Sequence, residues 1–254
     1  MKLTALGTSA AYPGAGGACS GWLVEEGSTR LLVDCGTGVL SSLQRHIPIP
    51  AITAILITHI HADHFLDLIP LRYALKYGLP PEERSSPILY LPPGSHSILK
   101  GMFSHLDPAP NTFFSDAFQV REYKPRDTFA IGDLTVETAP VVHYIPSHAV
   151  AVYGSGKAVF SSDTGPCEAL VELAKGADIM VCEATYLSED EDFGDLRGHL
   201  TAKEAGEIAR RAGVKRLIIT HLWPRRDRQQ VLAIARESFG GDVELAEEGK
   251  SYVP

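Results

Sequence analysis

The sequence has few cysteines and no long apolar run. The four cysteines lie at positions 19, 35, 167 and 182, and no two of them form a CxxC pair. A chain of 254 residues does not need disulfide bonds for its stability, so we expect reduced and mostly buried thiols. The longest mainly apolar runs, such as 52–57 and 231–235, are far too short to cross a bilayer. The first residues reach a glycine after one short apolar stretch, which is typical of a first strand and not of a secretion signal. We therefore expect a cytoplasmic protein that does not enter a membrane.

The sequence also has little positive charge. Its 23 lysines and arginines are outnumbered by 31 acidic residues, which gives a net charge of −8. A dedicated nucleic-acid-binding protein usually carries a basic surface, and this chain as a whole does not. The hydrophobic content of 44% and the charged content of 21% are those of an ordinary globular protein, so disorder is not expected.

Short β patterns and amphipathic stretches alternate along the whole chain. Strands are predicted at 3–6, 22–25, 30–34, 54–58, 88–91, 118–123, 134–142, 149–153, 158–161, 179–182 and 217–220. Helices are predicted at 65–77, with a break suggested by Pro70, and at 95–106, 167–175, 201–212 and 228–239. There is no repeat and no low-complexity linker, which indicates one domain over 1–254. Two β-rich halves, each closed by helices, predict an α/β fold in which two sheets pack face to face with helices outside.

The strongest functional pattern follows the apolar strand at 54–57. Residues 58–64 read Thr-His-Ile-His-Ala-Asp-His. Packing rarely requires three histidines and an aspartate within six positions, because these residue types prefer surface or intermediate positions. In an extended loop, His59 and His61 would point to one side, while Asp63 and His64 would follow the turn into the next helix. The four side chains can therefore serve two neighbouring metal ions, and imidazole and carboxylate are suitable ligands for zinc.

Four ligands do not fill two metal ions, so further ligands are expected at other strand ends. His143, Asp163 and His221 each follow a predicted strand, and turn-forming residues come after Asp163 and His221. Four other histidines lack this setting, and we expect structural or surface roles for His46, His96, His105 and His148.

These motifs make the chain resemble the metallo-β-lactamase fold superfamily, and within it the ribonuclease Z branch of phosphodiesterases. The resemblance runs nearly end to end and rests on the segments 6–8, 32–36, 143–147, 162–165 and 198–205, on the HxHxDH signature at 59–64, and on Thr220-His221. It implies a four-layer αβ/βα sandwich of two mixed sheets.

The resemblance implies a binuclear zinc centre, in which manganese or iron could replace zinc. Seven ligands are implied: His59, His61 and His143 for the first ion, Asp63, His64 and His221 for the second, and Asp163 as a bridge. A hydroxide shared by the two ions would attack the substrate, and the ions would neutralise the charge that builds on the phosphate oxygens. The implied protein is a metal-dependent phosphodiesterase.

Two further residues complete the predicted catalytic set together with Asp63. His199 matches a proton-donating histidine of the branch and would protonate the leaving oxygen; the alternative is a structural role beside the helix that starts near Thr201. Arg225 matches an arginine of the branch and could bind a phosphate through two hydrogen bonds. The alternative for Arg225 is an exposed surface residue.

Other polar residues near these motifs receive more modest interpretations. Asp34 would orient the metal-binding loop through hydrogen bonds, or would only cap a turn. Cys182 and Glu183 lie where the family has a short motif, but they are assigned no role. The loop at 14–17 is not a phosphate-binding loop, since no Lys-Ser/Thr pair follows it.

Several departures from the branch bear on the substrate. The tRNA-processing members carry a protruding arm between the residues that correspond to His143 and Asp163, but these lie only 20 positions apart here. Arg226 replaces a tyrosine, and Asp67 stands where glycine is common. Together with the acidic charge, this favours a small phosphodiester, such as a cyclic nucleotide or a phosphorylated sugar, at least as much as an RNA 3′ end. The alternatives are hydrolysis of a sulfate ester, lactone or thioester on the same fold, and a non-catalytic metal-binding scaffold.

The aromatic residues near the signature suggest a homodimer. Trp22, Phe65, Leu71, Tyr73 and Tyr77 provide more apolar surface than one helix and one strand should need. The expected interface contains the helix at 65–77, and the alternative is a helix buried within its own domain.

Overall fold

Two seven-stranded sheets form the centre of the fold. The structure is a computed structural model that describes residues 1–103, 106, 112–191 and 197–254. The first sheet contains β1 (Lys2–Gly7), β2 (Gly21–Glu26), β3 (Thr29–Val33), β4 (Ala54–Leu56), β5 (Ile88–Leu91), β6 (Gln119–Glu122) and β14 (Ser251–Tyr252). The second contains β7 (Thr128–Ile131), β8 (Leu134–Val141), β9 (Ser147–Tyr153), β10 (Lys157–Phe160), β11 (Ile179–Glu183), β12 (Arg216–Thr220) and β13 (Asp242–Leu245).

The two sheets have the same mixed topology. The first has the order β14-β1-β2-β3-β4-β5-β6, with antiparallel pairs up to β3 and parallel pairs from β3 to β6. The second has the order β13-β12-β11-β10-β9-β8-β7, with parallel pairs from β13 to β10 and antiparallel pairs beyond. Strands that run in the same direction end at the same edge of a sheet, so residues that follow different strands can meet there.

In the described part of the chain, seven α-helices cover the outer faces of the sheets: α1 (Val39–Leu43), α2 (Ala62–Phe65), α3 (Leu68–Tyr73), α4 (Ser95–Phe103), α5 (Glu168–Ala174), α6 (Ala202–Ala212) and α7 (Arg228–Phe239). One apolar cluster fills the space between the sheets, and two more lie between each sheet and its own helices. Strand β4 is buried along its whole length because it is covered on both faces. The predicted α/β sandwich of two mixed sheets with helices outside is confirmed.

Helices α6 and α7 show how the sequence specifies one of these outer layers. Thr201 caps α6 by accepting a hydrogen bond from the backbone of Glu204, whose side chain bonds back to Thr201. Gly206 lets the two helices approach closely, since a Cβ there would lie 2.8 Å from the carbonyl oxygen of Ala235. The helix ends at Gly213, which adopts the left-handed conformation with φ 65°.

Some predicted elements have different bounds in the structure. The helix predicted at 65–77 is divided into α2, α3 and a π-helical turn at Ala74–Gly78, and the break falls at 66–67, before Pro70. Helix α4 is described up to Phe103. His105, which falls within the predicted helix at 95–106, and part of the predicted loop that follows lie outside the described residues. The sequence analysis missed α1, β7, β13 and β14, which are elements of two to five residues. Such short segments carry too few residues for a periodic pattern.

The apolar residues behind the dimer prediction are mostly internal. Trp22, Phe65 and Leu71 are buried in the chain's own core, whereas Tyr73 and Tyr77 are 37% and 59% exposed. The homodimer stays a prediction, now supported by two tyrosines only. No helix among the described residues is long and apolar enough to span a membrane.

A buried ion pair that involves helix α3 gives a prediction about stability. Arg72 is fully buried, and its Nε donates to Asp116 Oδ1 at 2.8 Å. Asp116→Ala should therefore lower the free energy of unfolding by about 3 kcal/mol, because it leaves a buried guanidinium without its carboxylate. Urea denaturation measures the loss. The control is Glu172→Ala, which removes an exposed pair with Lys175 and should change stability by less than about 1 kcal/mol. Equal effects of the two variants would contradict the prediction.

Candidate metal centre

The HxHxDH segment follows the buried strand β4 and ends inside α2. The backbone N–H and the hydroxyl of Thr58 both donate to the carboxylate of Asp34, at 2.8 and 2.9 Å. His61 is the N-cap of α2, so Asp63 and His64 lie in the helix while His59 stays in the preceding loop. The loop therefore presents its polar side chains in two directions, as the sequence predicted.

The first group of candidate ligands comprises His59, His61, His143 and Asp163, whose ligand atoms all lie within 4.8 Å of one another. His61 Nδ1 is 3.2 Å from His59 Nε2 and 3.0 Å from His143 Nε2. Asp163 Oδ2 is 3.6 Å from His59 Nε2. Three imidazole nitrogens and one carboxylate oxygen thus converge on one point, which is a typical donor set for zinc.

The second group comprises Asp63, His64, Asp163 and His221, all of them buried. His221 Nε2 is 3.2 Å from Asp63 Oδ2 and 3.4 Å from His64 Nε2. Asp163 Oδ1 is 3.3 Å from His64 Nε2 and 3.4 Å from His221 Nε2. Asp163 therefore turns one carboxylate oxygen towards each group.

The electrostatics of the first group favour neutral imidazoles. Burial lowers the pKa of His59 well below its ordinary value, and it also lowers the pKa of His61 and the pKa of His143. Neutral imidazole is the form of histidine that binds metal ions. The three side chains are therefore held in the ligand form at neutral pH.

The second group has an excess of negative charge. Burial alone would lower the pKa of His64, but the carboxylates of Asp163 and Asp34 outweigh burial and raise it well above its ordinary value. Burial likewise opposes ionisation of Asp163, but His221 and His64 hold the pKa of its carboxyl well below the usual range. Buried carboxylates around two imidazoles require a positive charge nearby, so the donor set fits a divalent cation.

Most of the histidines use their second ring nitrogen to contact another protein group. His64 Nδ1 is 2.8 Å from Asp34 Oδ2, and His143 Nδ1 is 2.7 Å from the carbonyl oxygen of Gly198. His221 Nδ1 is 2.9 Å from Thr185 Oγ1. Such contacts fix the tautomer and the orientation of metal-binding histidines. Asp34 thus orients His64 as well as the backbone of the loop.

Three residues at these strand ends adopt a left-handed backbone conformation. Asp34, Ser162 and His221 have φ values of 61°, 55° and 57°. Residues other than glycine adopt this conformation only when surrounding contacts hold them there, and such strain is concentrated at functional sites. The chain turns at these positions so that the side chains of Asp34, Asp163 and His221 can reach one site.

His199 lies beside both groups and is paired with Glu183. Its Nδ1 is 3.0 Å from Glu183 Oε1, and its ring is stacked on that of His221 at 5.6 Å. Glu183 is buried and also accepts hydrogen bonds from Thr164 N and from Thr185 Oγ1. Glu183, His199 and His221 form a third group that could hold a metal ion.

The sequence analysis assigned no role to Glu183, although it follows the predicted strand 179–182 directly, in the same strand-end setting as the predicted ligands. That shared setting is the signal that could have identified it.

The arginines beyond His221 have different surroundings. Arg225 is exposed, and within the described part of the chain no hydrogen bond or ion pair of its side chain is found. Arg226 pairs with Glu191, at 2.5 Å, and donates to the carbonyl oxygen of Thr185. The role of Arg225 stays a prediction, whereas Arg226 attaches the loop at 185–191 to the segment after His221.

An αβ/βα sandwich with a histidine and aspartate cluster at its strand ends is the architecture of the metallo-β-lactamase fold. A sequence model of the β-lactamase superfamily domain matches residues 29–222. The chain belongs to this superfamily of metallo-hydrolases.

The similarity to relatives extends over nearly the whole chain. It is 35% identical to an uncharacterized protein of Mycobacterium tuberculosis, over 96% of this chain and 88% of that protein. It is 31% identical to ribonuclease Z of Myxococcus xanthus, over 98% and 96% of the two chains. The crystal structure of YhfI from Bacillus subtilis, a metallo-β-lactamase fold protein, superimposes with a TM-score of 0.86 at 26% identity and covers 99% of both chains. The predicted likeness to ribonuclease Z is confirmed.

The position of Asp34 gives a prediction about metal affinity. Asp34 accepts one hydrogen bond at Oδ1 and two at Oδ2. In Asp34→Asn the amide nitrogen would replace one of these oxygens and, in either orientation, would face a hydrogen-bond donor. We expect zinc affinity to fall about 10- to 100-fold while the fold is retained. Competition with a chromogenic chelator measures the affinity. Asp133→Asn, which changes an exposed carboxylate bound to Ser28, is the matched control. An unchanged affinity would show that Asp34 only caps a turn.

Proposed function

We propose that the protein is a binuclear zinc-dependent phosphodiesterase that acts on small phosphodiesters. The observation that carries this proposal is the position of Asp163, whose two oxygens face two separate groups of ligands. A single-metal site would not need a carboxylate shared in this way. The alternative is hydrolysis of another ester class, a sulfate ester, lactone or thioester, at the same centre.

The proposed ligand set is the one implied by the resemblance: His59, His61 and His143 for one ion, Asp63, His64 and His221 for the other, and Asp163 between them. The donors fit zinc because they are imidazoles and carboxylates that converge within coordination range of two points. When bound, two zinc ions would supply a hydroxide nucleophile at neutral pH and neutralise charge on the phosphate oxygens. Asp63 has a further contact, since its Oδ2 accepts a hydrogen bond from Ala11 N at 2.8 Å.

The proposed proton donor is His199, with Glu183 as its positioning residue. Because the carboxylate of Glu183 can only accept, His199 Nδ1 is the donor in their hydrogen bond, and the ring is held in one orientation. His199 also packs edge-on against His143 at 4.9 Å and stacks on His221, so it lies between ligands of both ions. With the Nδ1 proton held by Glu183, a proton on Nε2 of the imidazolium could be transferred to the leaving oxygen of a substrate bound at the centre, which leaves His199 neutral.

Two observations support a small substrate. The segment between His143 and Asp163 consists of β9, β10 and a short turn, so it contains no arm that could hold a large RNA. The chain is acidic, whereas RNA binding requires neutralised phosphates. An RNA 3′ end is the second candidate, because relatives such as that of Myxococcus xanthus are named ribonuclease Z.

The ligand groups predict the metal content. Protein purified without chelators and reconstituted with zinc should contain two equivalents per chain, measured by elemental analysis. Asp163→Ala should retain one equivalent or fewer, since it removes an oxygen from both groups. His46→Ala, which changes a histidine outside the ligand groups, should retain both. One equivalent or fewer in the unaltered protein would contradict the binuclear proposal.

The proposed role of His199 predicts how rate depends on the leaving group. His199→Ala should keep both metal ions yet lose about 10²- to 10⁴-fold in the rate of hydrolysis of an alkyl phosphodiester. The loss should be smaller for a nitrophenyl ester, because nitrophenolate leaves without a proton. Glu183→Gln should show the same dependence with a smaller loss, and His221→Ala should lose metal and all activity. Loss of zinc from His199→Ala, or an equal loss of rate for both esters, would identify His199 as a ligand or a structural residue.

A further inference from the structure

Exposed aromatic side chains lie on the loops that carry the candidate ligands. Trp223 follows His221 by two positions, and its ring centroid lies 5.9 Å from that of Tyr12, with the planes tilted by 48°. Tyr12 is 49% exposed and Trp223 is half-buried. The two rings therefore form one apolar surface that remains open to solvent, which we call the ring pair.

The backbone holds the ring pair beside the second ligand group. Ala11, the neighbour of Tyr12, donates its N–H to Asp63 Oδ2 at 2.8 Å. The N–H of Ala10 donates to the carbonyl oxygen of Leu222, and the N–H of Leu222 donates to that of Thr8, both at 3.1 Å. The loop that carries Tyr12 is thus attached to the segment that carries His221 and Trp223.

The local conformation also fixes the ring pair. Ala11 has a φ of 57°, a strained value for alanine that its contact with Asp63 helps to maintain. Tyr12 is next in sequence to Ala11, whose N–H contacts Asp63. Trp223 is two residues from His221, which belongs to the second ligand group. A phosphate bound at the centre would therefore have an aromatic surface within reach of its substituents.

A second aromatic residue near the centre has a different environment. Tyr144 follows His143, and its ring lies 5.8 Å from that of His199. The ring packs against Gly198, where a Cβ would come within 2.6 Å of it. Tyr144 is 44% exposed but packs as a single ring against Gly198 and His199, whereas Tyr12 and Trp223 together form a surface of two rings.

We propose that the ring pair is a stacking subsite and that the substrate is a phosphodiester that carries a nucleobase. This inference rests on the phosphodiesterase function proposed above and specifies its substrate class. Every nucleobase has a flat apolar face, and stacking on tyrosine or tryptophan binds it without hydrogen bonds to its edges. Such a subsite would separate nucleotides from phosphorylated sugars and would tolerate different bases.

The test uses the two tryptophans of the chain as probes. Trp22 is 4% exposed in the core between the sheets, so a ligand that quenches fluorescence by stacking acts on Trp223. The zinc-loaded protein is titrated with adenosine 5′-monophosphate and with ribose 5-phosphate, which share the sugar phosphate and differ in the base. We expect the nucleotide to quench tryptophan fluorescence and to bind at least fivefold more tightly, with both affinities measured by calorimetry.

The matched variants are Tyr12→Leu and Tyr77→Leu. Tyr12→Leu should weaken nucleotide binding roughly 5- to 100-fold and leave ribose 5-phosphate binding unchanged. Tyr77→Leu replaces a tyrosine that is 59% exposed and lies outside the ring pair, and it should alter neither affinity. Equal affinities for the two ligands, no quenching by the nucleotide, or an unchanged nucleotide affinity in Tyr12→Leu would overturn the subsite.

Phosphodiester turnover, measured on the same preparation, separates this inference from the function on which it rests. Turnover that is no more efficient for diesters with a nucleobase than for diesters without one overturns the subsite and leaves the phosphodiesterase proposal standing. Nucleotide stacking without turnover of any phosphodiester supports the subsite and overturns the phosphodiesterase proposal.

Discussion

The carboxylate of Asp163 is the group on which the arrangement of the site depends. It is buried at the end of β10, and each of its oxygens faces two imidazoles. Nitrogen atoms of neighbouring imidazoles approach to between 3.0 and 3.4 Å around it, a spacing that suits ligands of a shared cation better than side chains packed for their own sake. Because desolvated charges and unpaired imidazoles are costly, the rest of the fold must hold this cluster in place.

The two sheets meet that requirement through their topology. The strands that precede Asp34, the HxHxDH loop, His143, Asp163 and His221 end at one edge of the sandwich, so residues far apart in sequence become neighbours. The core between the sheets fixes the strands, and the left-handed turns at Asp34, Ser162 and His221 then direct side chains into the centre. Rigid strands with strained ends position catalytic groups more accurately than loops alone could. The geometry of the site therefore depends on the same core packing that stabilises the sandwich.

The residues that the structure brings together in the two candidate metal-binding groups could be recognised in the sequence because they interrupt a strong pattern. A buried strand that ends in histidines and aspartates has no explanation in packing, and that contrast is visible without a structure. Glu183 was missed because one glutamate after a strand is not unusual by itself, and its proposed role depends on a contact with His199, which lies 16 positions away. The break before Pro70 and the short edge strands were missed for a related reason. Tertiary contacts determine where this helix breaks and where these short strands form, and the local periodicity of the sequence does not report such contacts.

The buried centre and the loops around it determine different properties, namely the type of reaction and the choice of substrate. In the proposed function the buried groups determine the reaction class, because imidazole and carboxylate ligands at two adjacent points would suit hydrolysis of several kinds of ester. Discrimination among esters must then come from the loops around them, which lie at the surface and vary without disturbing the sheets. Tyr12, Trp223 and Arg225 lie on such loops, and none of them belongs to a ligand group. A change of substrate within this fold therefore requires a change in these loops, while the strand-end ligands and their hydrogen-bond partners stay the same.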